Sequence, residues 1–164
     1  MSIYDPRQTV LVTCRGTVEI IGKPTEKDDI ATVHWHSPAS TSPPLYAVFI
    51  SKQVLADKII RASQAFVVNF MGIENKEEII RASRLSAEYS HKCEEVKLTE
   101  ASCSKLVDCF RVKEALAWIE CEVVKIIDAG DHTCFIGRIV HEEITREGGR
   151  AFHMGGEAYT TTRD

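Results

Sequence analysis

The chain opens on an unbroken β-branched and apolar run, Thr9–Arg15 (TVLVTCR), followed after Gly16 by Thr17–Ile21 (TVEII). Both stretches read as strands, with the glycine as punctuation. Gly22–Asp29 (GKPTEKDD) is polar and reads as a turn or loop, and Ile30–Trp35 (IATVHW) returns to strand character. His36–Pro44 (HSPASTSPP) holds three prolines, which remove backbone donors and fix φ, so it is expected to lie outside regular structure. Leu45–Ile50 (LYAVFI) is a short apolar run suited to a buried strand.

The period then changes. From Gln53 to Ala65, Leu55, Ile59 and Ala62 recur at helical spacing. Phe66–Phe70 (FVVNF) reads as a buried strand. Asn75 to Ser86 is a second helix, with Asn75 placed to cap it and Glu78 to complete a capping box. Ser86–Lys92 is expected to add a further helical turn or two. In Ala117–Ile126, Ile119, Cys121 and Val123 alternate with Glu120 and Glu122, the signature of a strand with one wet face. Asp128–Asp131 (DAGD) is a turn, and Thr133–Ile144 is the partner strand of a hairpin. Gly148–Gly149 marks another turn before the closing FHMGGEAY. Short strands with two inserted helices predict a mainly β fold, an antiparallel barrel or sandwich. A doubly wound α/β sheet is excluded by the scarcity of helices between strands and the lack of a Gly-x-Gly-x-x-Gly loop.

Composition narrows the function classes. The 164 residues suit one domain, 44% are apolar and 27% charged, and the net charge is −4. No basic field is available for nucleic acid or an anionic membrane surface. The first residues lack the pattern of a signal peptide, and no run approaches the ~18 apolar residues of a membrane span. The expected location is the cytoplasm. There, the six cysteines are expected to be reduced, with Cys121 and Cys134 as plain core residues. None belongs to a C-x-x-C pair, so a zinc ribbon has no support.

The chemistry concentrates in three places. Thr32–Pro44 leaves a strand through a proline-braced segment that fixes backbone donors and acceptors away from a ladder, with Trp35 as a stacking surface and Ser37, Ser40 and Ser42 as hydroxyls. Such groups can read a flat heteroaromatic ring; the same segment also reads as a rigid connection between strands. Ser51-Lys52-Gln53 lies where a helix begins, a place for a phosphate or simply a capped end with a solvated lysine. His34 and His36 would share one face of a strand, but no third metal ligand accompanies them. His132 and His153 sit beside turns, as proton donors or as solvated residues. No nucleophile elbow is present.

Taken in order, these segments resemble the flavin-reductase-like, FMN-binding split-barrel family, which includes flavoredoxins and archaeal ferric reductases. T-V-L-V-T is similar to its first strand, and W-H-S-P-A-S-T-S-P-P to its aromatic-x-x-Pro-x-Ser-x-x-Pro-Pro loop. F-V-V-N resembles the strand after its first helix, G-D-H-T-C-F-I-G-R-I-V its late hairpin, and H-M-G-G-E-A-Y its closing segment. The resemblance spans roughly residues 8–160 and implies a single Greek-key split β-barrel domain, residues 1–164, with FMN bound noncovalently at a homodimer interface. It places the flavin ring along Thr32, Val33, His34, Trp35, His36, Ser37, Pro38 and Ser40. The phosphate falls along Ser51–Lys58. Where many relatives carry a basic residue and a threonine, this chain has Val54 and Ala56, which leaves Ser51, Lys52, Gln53 and Lys58 for that task. The histidines of H-W-H also depart from the usual Ser or apolar residues.

The implied activity is electron transfer through FMN from NADH or NADPH to free flavin, iron(III) or a redox partner protein, with His132 and His153 as candidate proton or substrate contacts. A flavoredoxin-like carrier without its own NAD(P)H oxidation is the alternative. A third reading, from another class, is a flavin-free barrel that binds haem or serves as a structural module.

Overall fold

The computed structural model describes residues 2–87 and 91–162. The chain forms β1 (Arg7–Gln8), β2 (Val10–Ile20), β3 (Lys23–Val33), β4 (His36–Thr41), β5 (Pro44–Ser51), α1 (Leu55–Ser63) and β6 (Ala65–Phe70). It continues through α2 (Lys76–Arg84), α3 (Lys92–Val96), β7 (Glu100–Ser102), β8 (Phe110–Val112), β9 (Ala117–Ala129), β10 (His132–Ile144), β11 (Ala151–Gly155) and β12 (Ala158–Thr161). Seven strands form one antiparallel sheet in the order β3-β2-β6-β9-β10-β5-β4, which does not close on itself. This is a split barrel. Strands β1, β11 and β12 form a small sheet, and β7 pairs with β8.

The apolar run of β2 is continuous because both of its faces are covered. Val10, Val12 and Cys14 enter the main core with Phe66, Val68, Cys121 and Phe135. Leu11 points the other way, into a second core with Ile30, Met71, Ile79 and Phe110. Helix α1 covers the main core with Leu55, Ala56, Ile59 and Ile60, all buried. Each of the leucine and isoleucine side chains contributes about 1.5–3 kcal/mol by leaving water. Buried Asn69 ties the layers together: its amide donates to Leu11 O at 2.8 Å and accepts from Val112 N at 2.8 Å.

Five local expectations are corrected. Gly16 does not interrupt a strand; β2 runs through it, and its missing Cβ lets α1 approach, since a methyl there would meet Ser63 Cβ at 3.2 Å. Gly22–Asp29 is not a loop beyond its first residue, because Lys23–Asp29 pairs residue by residue with Cys14–Ile20. His36–Pro44 is also regular in large part. Strand β4 lies at the open edge of the sheet, where the donors that proline lacks are not required, and a bulge between Pro38 and Ser40 absorbs the misfit. The capping box is not formed, because a 3₁₀ turn over Ile73–Asn75 leads directly into α2 and Asn75 makes no side-chain cap. Of the helical turns expected over 86–92, Ser86 and Ala87 are not helical, residues 88–90 lie outside the described residues, and α3 begins at Lys92.

The β9–β10 hairpin forms as expected, with a two-residue Gly130-Asp131 turn and Gly130 at φ +65°, but its wet face begins only at Glu122: Glu120 is buried, where it accepts three loop N–H groups and the Trp118 indole. Gly137 in β10 lies at a close contact inside the core. A Cβ there would fall 2.6 Å from Cys121 Cβ and 2.8 Å from the Phe66 ring. Gly137→Ala is therefore expected to lower stability by about 1–3 kcal/mol, read as a shifted denaturation midpoint with an unchanged slope.

Candidate cofactor site

A cavity of about 690 Å³ opens where the β3–β4 connection, the end of β5 and the chain's first residues meet. That volume lies within the usual ~300–1,000 Å³ of small-molecule sites. Ala31, Thr32, Val33, His34 and Trp35 form one wall; Phe49, Ile50, Ser51 and Val54 form the next. Ala82 and Ser83 of α2, Leu85 and Lys92 complete the lining together with His153, Gly155 and Gly156. The N-terminal turn lies over the opening through Ser2, Tyr4, Asp5 and Arg7, and His132 stands at the rim.

Seven residues singled out from sequence thus meet in one place: Thr32, Val33, His34, Trp35, Ser51, His132 and His153. They come from four separate stretches of the chain. The others do not line the cavity. His36 is a strut: Nε2 donates to Gln8 O at 2.7 Å and Nδ1 accepts from the Tyr46 hydroxyl at 2.8 Å. Burial lowers its pKa, which keeps that neutral arrangement. Ser37 and Pro38 are exposed on β4, and Ser40 pairs there with Leu45. Lys52 turns away to Asp128, 3.3 Å from its carboxylate, and Gln53 and Lys58 are exposed.

An aromatic rim marks the mouth. Trp35 is 42% exposed, with Tyr4 edge-on at 6.3 Å between ring centroids and His132 at 4.9 Å. The His132 Nδ1–H donates to Asp131 at 2.6 Å, because a carboxylate only accepts. That fixes the tautomer and leaves Nε2 as an acceptor.

Inside, His34 and His153 stack at 4.0 Å, 10° from parallel. His153 Nε2 lies 3.0 Å from Gly156 O, and its Nδ1 lies 3.4 Å from Asp5. Ser2 holds the Asp5 carboxyl below its ordinary pKa, through its backbone N–H first. His34 Nδ1 lies 3.1 Å from the Thr9 hydroxyl, and Arg7 donates to the His34 carbonyl at 2.9 Å. Burial, then the neighbouring His153, bring the His34 pKa from 6.5 down to about 4.

The sign of that shift sets a pH dependence. As pH falls below 6.5 the unfolded chain takes up a proton that folded His34 refuses. The stability present above pH 6.5 is therefore lost progressively, most steeply midway between pH 6.5 and pH 4, and the loss levels off below 4. Urea midpoints of the wild type are expected to fall over this window, and His34→Gln is expected to flatten the fall.

Lys92 is the feature that sequence reasoning missed. Its Nζ is buried, 3.1 Å from Asp29 Oδ1, while Asp29 Oδ2 accepts the Ala56 N–H of α1 at 2.9 Å. One carboxylate thus holds the start of α1 and a lysine together at the cavity wall. The ammonium keeps further N–H donors, and the Ser51 hydroxyl, which accepts from Gln53 N at 3.2 Å, keeps its own proton to give. This donor set suits a phosphate. The aromatic rim and the β3–β4 backbone suit a flat ring.

Fold and cavity together define a flavin-reductase-like split barrel. The flavin reductase like domain family matches residues 5–162, and the chain belongs to that family. An uncharacterised protein of Archaeoglobus fulgidus is 37% identical over 116 residues, 71% of this chain and 65% of that protein's length. The fold is shared with an FMN-binding protein of Thermus thermophilus solved with p-hydroxybenzaldehyde: TM-score 0.83, 20% identity, 98% of this chain and 89% of that one. It is shared equally with a flavoredoxin of Desulfovibrio vulgaris (Miyazaki F): TM-score 0.83, 20% identity, 100% of this chain and 91% of that one.

Proposed function

We propose that this cavity binds FMN and that the protein is an NAD(P)H-dependent oxidoreductase that passes electrons on to free flavin, iron(III) or a protein acceptor, working as a homodimer in the cytoplasm. The observation that carries the reading is the convergence of Thr32–Trp35, Ser51, His132 and His153 on one cavity that Lys92 also lines. Bound FMN supplies the hydride and electron chemistry, and the protein binds, orients and tunes it. The β3–β4 connection and Trp35 take the ring, and Lys92 with Ser51 takes the phosphate. Half-buried, neutral His34 lines the ring's side without adding charge. His132, its Nδ1 committed to Asp131, offers Nε2 at the mouth, where a proton can be taken up or returned. His153, held by Asp5 and Gly156, is the second candidate for contact with substrate.

A carrier that receives electrons from a partner protein is the second reading, favoured by the fold shared with a flavoredoxin. Anaerobic mixing of the FMN-loaded protein with NADH and NADPH separates the two. Bleaching of the flavin band by either nucleotide, at a rate lowered several-fold in His132→Ala, is the expected result. Bleaching by neither leaves the carrier.

A further inference from the structure

The β7–β8 hairpin carries a pair of cysteines that the cavity does not use. Its last ladder pair is Ser102 opposite Phe110. One residue further along each strand stand Cys103 and Cys109, so the register sets them opposite one another. Facing positions of an antiparallel pair have Cα atoms about 4.5–5.5 Å apart, within the ~4.4–6.8 Å that a disulfide spans. The side chains also share one apolar cluster: Cys109 is buried with Val67 and Trp118, and Cys103 packs against that cluster. The other strand cysteines have no such partner. Cys14 faces Asp29, Cys121 faces Phe66 and Ile139, and Cys134 faces Ile127 and Phe49.

We propose that Cys103 and Cys109 form a reversible intramolecular disulfide, a redox-modification site that closes the 103–109 loop. The loop is already drawn around a buried anchor. Glu120 of β9 accepts the N–H groups of Ser104 and Lys105 at 2.8 Å and of Leu106 at 3.0 Å, and the Trp118 indole at 3.1 Å. These bonds fix the loop between the two cysteines without the covalent link. Cys103 is partly exposed while Cys109 is buried, which sets the order of events.

A low-molecular-weight disulfide, RSSR, is the oxidant. The Cys103 sulfur loses its proton and attacks one sulfur of RSSR, forming a mixed disulfide and releasing RSH. The Cys109 sulfur then displaces the second thiol, giving Cys103–S–S–Cys109 and another RSH. Two thiols lose two protons and two electrons, and RSSR takes up both. The neighbouring Cys109, then burial, holds the Cys103 thiol protonated, so the exchange is slow and suits a stored change of state.

The test uses the intact protein and glutathione disulfide. Trypsin cuts after Lys105, which puts the two cysteines in separate peptides, 98–105 and 106–111. Oxidation is expected to remove two hydrogens from the intact mass and two of the six free thiols. The two peptides should then appear linked, and dithiothreitol should part them. Cys103→Ser should abolish the linked species, and Cys121→Ser should leave it unchanged. Six thiols remaining after prolonged oxidation, a glutathione adduct on Cys103 that never resolves, or a link to any other cysteine would each overturn the proposal.

Discussion

Replacing Asp29 with alanine is expected to cost about 3–5 kcal/mol of stability, a fall of about 10 °C in Tm for a chain of this size. Asp29 is 1% exposed and makes three bonds: to Lys92 Nζ at 3.1 Å, to its neighbour Ile30 N at 2.7 Å and to Ala56 N at 2.9 Å. Alanine leaves the Lys92 charge buried and uncompensated, and it leaves two buried N–H groups without an acceptor. Each unmade bond alone carries a desolvation cost of about 1–3 kcal/mol. Asp29→Asn, which keeps one acceptor oxygen and drops the charge, should fall between alanine and the wild type. Thermal denaturation by circular dichroism measures both. An Asp29→Ala protein as stable as the wild type would mean that the ion pair contributes little in solution.

Replacing Lys92 with methionine is expected to weaken FMN binding by about 10–100-fold, the loss of one charge-assisted bond to phosphate at about 1.5–3 kcal/mol. Methionine retains most of the packing volume, and Asp29 keeps its two backbone donors, so the fold should survive with a lower Tm. Riboflavin separates the two effects because it lacks the phosphate. Its affinity should be nearly equal in wild type and variant if Lys92 acts on phosphate. A parallel loss for both flavins would place the lysine's role in shaping the cavity alone.

Much of this architecture was legible in the sequence because it rests on local chemistry. The β9–β10 hairpin follows from alternating residues on either side of a Gly-Asp turn. Helix α1 follows from the spacing of Leu55 and Ile59. Strand β4 was not legible, because proline argues against a strand unless one knows that the strand is an edge, and that is a fact of the whole sheet. The same limit applies to the cavity. The ring side, Thr32–Trp35, is continuous in sequence and carries the motifs. The lysine is not: Lys92 lies beyond the second helix, in a run of charged residues, and the Asp29 carboxylate links it to α1. Lys52, the lysine that the local pattern favours, is drawn outward by Asp128. The N-terminal residues Tyr4, Asp5 and Arg7 carry no motif, yet they border the cavity through contacts with Trp35, His153 and His34.

The central claim is that the cavity is a flavin site with a phosphate-binding end. Its most direct measurement is a titration of purified protein with FMN and with riboflavin, followed by quenching of flavin fluorescence and by the visible spectrum. The expected result is saturable binding of FMN, clearly tighter than that of riboflavin, with a perturbed flavin band. Absence of saturable binding by either flavin would contradict the claim.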